Sequence, residues 1–275
     1  MAAEPISPSD ERRHPPGRGR DWEESWYLDF VSADGSLAGY VRLALRPGEG
    51  TAWFWAAMVG GGPRLVTLRD HEVPPPAGTG LEVRASGLWT ELVCETPLDH
   101  WSVGMEAFGV AVDDPLEAWG QERGDPCAMG LDVEWEASAP CTPWSGPGPP
   151  GYAQACAVHG DVLVGDRRFA LDGSGLRLHR WGPAGRAEPQ GWAAGRLEDG
   201  TSFATTGVDV ETDGHGLLRA ASAGDLRGTA MAHAPVLLPG AGRLARALCR
   251  YEGPGGRTGH GWAEWFHPAG GSAPT

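Results

Sequence analysis

The chain has 275 residues, 41% hydrophobic and 21% charged, with a formal net charge of −14. This is a globular composition, not a disordered one, and it is long enough to bury a large core. All 22 basic residues are arginine, and the acidic balance argues against nucleic acid or an anionic membrane as a partner, since both need clustered positive charge. The 5 cysteines are scattered, odd in number and without a CxxC pair, which fits reduced thiols in a cytoplasmic protein. No signal-peptide stretch is visible and no apolar run reaches the roughly 18 residues a membrane span needs.

Residues 1–20, "MAAEPISPSDERRHPPGRGR", carry Pro, Gly, Ser and charge with almost no apolar content, and read as a disordered tail. From Trp22 short apolar runs alternate with turn signals. "SWYLDFV", "SADGS" and "LAGYVRLAL" make a hairpin signature, and "TAWFWAAMV", "RLVTLRDHEV", "LWTELVCE" and "GLDVEWEAS" continue as strands. No stretch holds a helical period over three turns. The expected fold is all-β. The Pro/Gly run around Gly146–Gly151 leaves no room for a strand interior, so residues 139–151 are expected to link an N-terminal β domain (21–138) to a C-terminal one (152–268). Residues 269–275 are expected to form a flexible tail. Two tandem antiparallel barrels or sandwiches, packed side by side, account for the rhythm.

No phosphate-cradling loop or GxSxG elbow is present. "CAVH" at 156–159 offers one metal-like pair without a second, and "DHE" at 70–72 splits its donors between two faces. No metal and no cofactor are expected. The informative stretch is "DGSGLRLHRWGPAG" at 172–185. As a strand it puts Arg177, His179 and Trp181 on one face and Leu176, Leu178 and Arg180 on the other. The row is either the polar wall of a pocket, with His179 moving a proton, or a structural row of satisfied polar groups. In "GHGWAEWFH", Glu264 shares a face with Trp262 and Phe266, a second candidate acid among aromatic rings. The 13 tryptophans either fill a core or line a cavity for an apolar ligand.

"GYAQACAVHGDVLVGDRRFALDGSGLRLHRWGP", followed by "GHGWAE", resembles the carotenoid 1,2-hydratase (hydroxyneurosporene synthase)/AttH-like superfamily, which includes tocopherol cyclase and polyketide cyclases. The resemblance implies two lipocalin-like β-barrels and a hydrophobic small-molecule ligand of terpenoid, carotenoid or polyketide type. It further implies hydration, isomerisation or cyclisation, or a non-catalytic carrier role. Carried onto this sequence, His179 and Glu264 are the candidate catalytic residues, and Arg177, Trp181, Gln154, Trp26 and Trp262 the candidate ligand contacts. Leu178 stands where the superfamily usually has an aspartate, so proton-initiated chemistry needs an acid from elsewhere. The sequence assigns no oligomeric state.

Overall fold

A computed structural model of the chain describes residues 5–144, 146, 148–184 and 190–269. Among these residues there is no α-helix, only three short 3-10 turns, and no helix is long and apolar enough to cross a membrane. The chain opens with four consecutive antiparallel strands, β1 (Trp22–Ser32), β2 (Ala38–Arg46), β3 (Thr51–Val59) and β4 (Leu65–Val73). A second run follows: β5 (Glu82–Ala85), β6 (Leu88–Thr96), β7 (His100–Val112) and β8 (Asp125–Ala137). Next come β9 (Thr142–Trp144), β10 (Gly151–Val164) and the long β11 (Arg167–Pro183).

These strands form one sheet in the order β4-β3-β2-β1-β11-β10-β8-β7-β6-β5, and β4 pairs again with β7 through Leu65↔Val112, Val66↔Ala111 and Thr67↔Val110. That last pairing closes the path from β1 to β4 and back through β7, β8, β10 and β11 into a barrel, with β6 and β5 continuing from β7 as a flap that ends on β5.

The second sheet contains β12 (Gln190–Leu197), β13 (Ser202–Thr206), β14 (Asp209–Thr212), β15 (Leu218–Ala223) and β16 (Leu226–His233). It is completed by β17 (Val236–Leu238), β18 (Gly242–Glu252) and β19 (Thr258–Pro268). Its order is β13-β12-β19-β18-β16-β15-β14, with β17 on β18, and its two ends do not pair. The architecture is therefore all-β and antiparallel, as the alternation predicts, with one closed barrel and one half-barrel.

Two expectations about boundaries are corrected. The Pro/Gly segment at 139–151 does not divide the sheets, because β10 and β11 after it pair with β8 and β1 of the barrel. Without these two strands the barrel stays open along β1, so burial of β1 demands them. The crossing to the second sheet falls instead between β11 and β12. Nor is the stretch before Trp22 loose where it is described. A 3-10 turn at Pro8–Glu11 inserts Glu11 into the barrel end, where it is 4% exposed. The tail expected at 269–275 lies outside the described residues beyond Ala269.

Strand β1 is buried on both faces. Trp26, Leu28 and Phe30 enter the barrel core with Phe54, Trp101 and Trp135. Tyr27 and Val31 face the other way, into a second core shared with Trp55, Leu178, Trp192 and Trp262. The two sheets thus bury one common apolar seam, pinned by Tyr40 Oη donating to the Ala234 carbonyl at 2.9 Å and Trp262 Nε1 to the Phe30 carbonyl at 3.3 Å.

Candidate active site

Strand β11 feeds two compartments by alternation. Arg177 and His179 point into the closed barrel; Leu176 and Leu178 point into the seam. Close pairing of β11 with β1 depends on glycine: a Cβ on Gly175 would lie 1.9 Å from the Asp29 carbonyl oxygen. The "DGSG" stretch is what lets the two backbones meet.

Inside the barrel Arg177, Glu11, Gln154 and Tyr152 form one hydrogen-bonded cluster. Arg177 donates to Glu11 at 2.6 and 3.1 Å and, through Nε and NH2, to Gln154 Oε1. Glu11 also accepts from Tyr152 Oη (2.6 Å), Trp101 Nε1 (3.0 Å) and the Leu98 amide (2.8 Å). Burial pushes the Glu11 carboxyl up, but the hydrogen bonds and charge of Arg177 outweigh it, and the net shift is downward. His179 is 1% exposed, stacks on Trp26 with ring centroids 4.5 Å apart, and meets Glu24 Oε1 at 3.0 Å. Burial pulls its imidazole down to about 3, so it is neutral near pH 7. Trp181 is half-buried and stacks at 3.9 Å on His14. The row of Arg177, His179 and Trp181 is enclosed, and the chain's own N-terminal segment occupies the space before it.

The open volume lies on the other side of the same strand. A cavity of about 960 Å³ separates the outer face of the barrel from the second sheet, lined by Tyr27, Trp55, Leu178, Trp192, Arg246 and Glu264 among others. Its size suits a multi-ring or polyene ligand. Strand alternation splits "AWFW" between the two compartments. Trp53 and Trp55 face the cavity while Phe54 is buried in the barrel core. Guanidinium groups cover both indoles: Arg46 lies 4.0 Å from the Trp53 centroid and Arg42 4.4 Å from the Trp55 centroid. Glu23 pairs with both arginines. His71 packs edge-on against Trp53 at 4.6 Å. Burial takes its imidazole down to about 4, leaving it neutral, and Nε2 has no hydrogen-bond partner.

The floor of the cavity carries a connected polar chain. Trp192 Nε1 donates to Glu264 Oε1 at 2.9 Å, and Arg246 NH1 lies 3.2 Å from Glu264 Oε2. Arg246, 1% exposed, also donates to Tyr27 Oη. Tyr27 donates onward to Asp29 Oδ2 at 2.8 Å, and Asp29 Oδ1 accepts the Leu176 amide at 2.7 Å. Burial raises the Asp29 carboxyl to about 6, against the lowering effect of those two hydrogen bonds. Burial likewise pushes the Tyr27 hydroxyl well above its ordinary value, with the Arg246 charge acting the other way.

The structure therefore splits the residues singled out from sequence. Glu264 lines the cavity. Trp262 is buried beside it in the seam, edge-on to Tyr40 at 5.4 Å. Arg177, His179, Gln154 and Trp26 belong to the barrel interior, with Gln154 Nε2 tied to the carbonyls of Leu98 and Ala139. Sequence reading passes over Tyr27, Asp29, Arg246 and Trp192. A signal exists for two of them: Asp29 in "SWYLDFV" and Arg246 in "RLARALC" are charges inside otherwise apolar strands. Leu178, where the superfamily resemblance leads one to expect an aspartate, is paired with Tyr27 across β1 and β11. The carboxylate on that same outer face comes from Asp29, one strand away.

This architecture is that of the lipocalin-like two-sheet proteins, and solved structures share it across nearly the whole chain. An AttH protein from Nitrosomonas europaea is 12% identical with a TM-score of 0.59, covering 97% of this chain and 98% of that one. Kievitone hydratase from Nectria haematococca is 11% identical with a TM-score of 0.55, covering 97% and 94%. CghA is 11% identical with a TM-score of 0.54, covering 94% of each. At such identity the likeness is one of fold. Residues 7–224 match the family described as domain of unknown function DUF7064, and the chain belongs to that family. No curated protein matches it.

Proposed function

We propose that the protein binds a hydrophobic, oxygen-bearing small molecule of isoprenoid or polyketide type in the cavity between the sheets and converts it by proton transfer. The reaction is a hydration, isomerisation or cyclisation without a cofactor. The observation that carries this reading is the chain Asp29–Tyr27–Arg246–Glu264, which joins a buried carboxyl to the cavity floor.

The chemistry follows from the arrangement. A proton leaving the ligand passes to Tyr27 Oη as Tyr27 gives its own hydrogen to Asp29, and Arg246 holds the negative charge that develops on the phenol oxygen. Run in reverse, the relay delivers a proton. A carboxyl near 6 suits both directions close to neutral pH. Glu264, held on Trp192 and Arg246, accepts the hydrogen of a ligand hydroxyl or of an attacking water. Indole faces of Trp53, Trp55 and Trp192 hold the apolar body, while the unpartnered His71 Nε2 meets a ligand polar group. In this reading Glu264 keeps the catalytic role expected from sequence, and Arg177, His179 and Gln154 hold the barrel together.

The neighbours in fold are consistent with this class: one is by name a hydratase, and CghA has been solved with Sch210972. The test is incubation with a panel of isoprenoid and polyketide alkenes, followed by mass spectrometry for gain of water or for an isomeric product. Turnover that disappears in Tyr27→Phe and Glu264→Gln supports the proposal. Tryptophan quenching by the same compounds with no turnover would reduce the protein to a carrier, and neither quenching nor turnover would remove the cavity from its function.

A further inference from the structure

Among the described residues four glutamates are buried, Glu11, Glu23, Glu24 and Glu264, and one differs from the rest. Glu11 is paired with Arg177, Glu23 with Arg42 and Arg46, and Glu264 with Arg246. Glu24, 1% exposed, has no guanidinium at ion-pair distance among the described residues; its partners are the imidazoles of His14 and His179 and the backbone N–H of His14, at 2.9 and 3.1 Å from its two oxygens. Burying a carboxylate is costly unless it is paired, and this one is held by rings rather than by a guanidinium.

We propose that His14, Glu24 and His179 form a binding site for a divalent transition-metal ion of the zinc class, which clasps the N-terminal segment onto the mouth of the closed barrel. The donors already converge. His14 Nδ1 lies 2.8 Å and His179 Nε2 3.0 Å from the same oxygen, Glu24 Oε1, and all three donor atoms lie within 4.8 Å of one another. A tetrahedral ion with ligands at roughly 2.0–2.1 Å holds its donors about 3.3 Å apart, so each ring needs to move away from Glu24 Oε1 by only about half an ångström or less. Two imidazoles and a carboxylate are a donor set of the kind zinc uses when three protein ligands leave a fourth position for water.

The surroundings favour the loaded geometry. Stacking of His14 on Trp181 and of His179 on Trp26 fixes both ring planes. Asp10 Oδ1 stands 4.0 Å from His14 Nε2, on the ring nitrogen that does not face Glu24. The side chain of His14 is 21% exposed, which leaves the ion a way in from solvent. His14 and Glu24 come from opposite sides of the chain's entry into β1, so one ion bridges the segment that carries Glu11 and the strand that anchors it.

The test uses the full chain, stripped with a chelator and titrated with Co²⁺. The expected result is a visible absorption band of a four-coordinate site that saturates at a single equivalent and is displaced by Zn²⁺. Zn²⁺ should also slow tryptic cleavage at Arg12 and Arg13. His14→Ala removes a ligand from a terminal segment and leaves both sheets intact. It should weaken binding by more than the roughly 10–100-fold that loss of an outer-shell partner costs, as should Glu24→Gln. His159→Ala reports on a separate exposed group, Glu134, Glu136 and His159, and should change nothing. Absence of the band, a band unaltered in His14→Ala, or one lost in His159→Ala would each overturn the proposal.

Discussion

Tyr27 and Asp29 stand two residues apart on one face of β1, and the tyrosine donates its hydroxyl hydrogen to the aspartate across 2.8 Å. Burial raises the Asp29 carboxyl to about 6 from 3.8, so the folded state holds a proton there that the unfolded chain has already released. Between about pH 4 and pH 6 the unfolded state binds fewer protons at this position, and stability falls as pH rises through that window. Two pKa units correspond to about 3 kcal/mol. Thermal or urea unfolding of the wild type and Asp29→Asn at pH 4 and pH 7 should show the variant gaining about that much relative stability at the higher pH. An identical pH dependence in both proteins would mean the group is not buried as described.

In the proposed reaction the same pair sets the pH profile of turnover. A relay that needs Asp29 as the proton acceptor gains activity as pH rises through about 6. Tyr27→Phe breaks the path and should lower kcat by about 10²-fold or more, with KM changing little because the ring remains. Equal loss in KM and kcat would point to a packing defect.

Gly175 is a sharp test of the contact between β1 and β11. A methyl there would sit 1.9 Å from the Asp29 carbonyl oxygen, so the strands must part. Gly175→Ala should cost about 1–3 kcal/mol of stability, and it should lower turnover as well, since Asp29 moves with its backbone. Gly207→Ala, where nothing lies within 4 Å of a new Cβ but φ is +68°, tests backbone strain alone and should leave turnover unchanged.

Glu11 and Arg177 form a buried ion pair, 1% and 4% exposed at the side chain. Removing one partner leaves an uncompensated charge, and either Glu11→Ala or Arg177→Met should destabilise by about 3–5 kcal/mol. The double substitution should recover part of that loss, which a double-mutant cycle on unfolding midpoints reads directly. Because the folded-state Glu11 carboxyl lies below its ordinary value, its contribution is present above the unfolded pKa and is lost as pH falls through the folded one. Additive single effects would refute the pairing.

Trp192 holds Glu264 by its indole hydrogen and offers its ring to the cavity. Trp192→Phe keeps an aromatic face but frees one carboxylate oxygen. Ligand binding followed by quenching of the remaining tryptophans should weaken by about tenfold, in line with a charged-acceptor hydrogen bond worth about 1.5 kcal/mol.

Much of the architecture was legible because alternation records which faces are buried. "SWYLDFV" and "TAWFW" both read as strands with two distinct faces, and both faces are buried, one in each core. The barrel boundary was not legible. The Pro/Gly run at 139–151 has the composition of a linker, yet it is a connection within one barrel, because strand pairing joins residues far apart in sequence and composition reports only local backbone freedom. The row Arg177, His179 and Trp181 was correctly placed on one face, but alternation does not say which face meets empty space. That space lies behind Leu178.

By itself, then, the sequence determined the β character and the two-faced strands; "GSG" at 173–175, which reads as a turn between strands, lies inside the continuous strand Arg167–Pro183. Only the tertiary structure decided that Glu11 fills the barrel and that Arg246 from one sheet meets Tyr27 from the other. The physical reason is that periodicity is a property of one strand. A cavity and a hydrogen-bonded chain across it are properties of two sheets packed face to face, and their members are brought together by the burial that closes the seam.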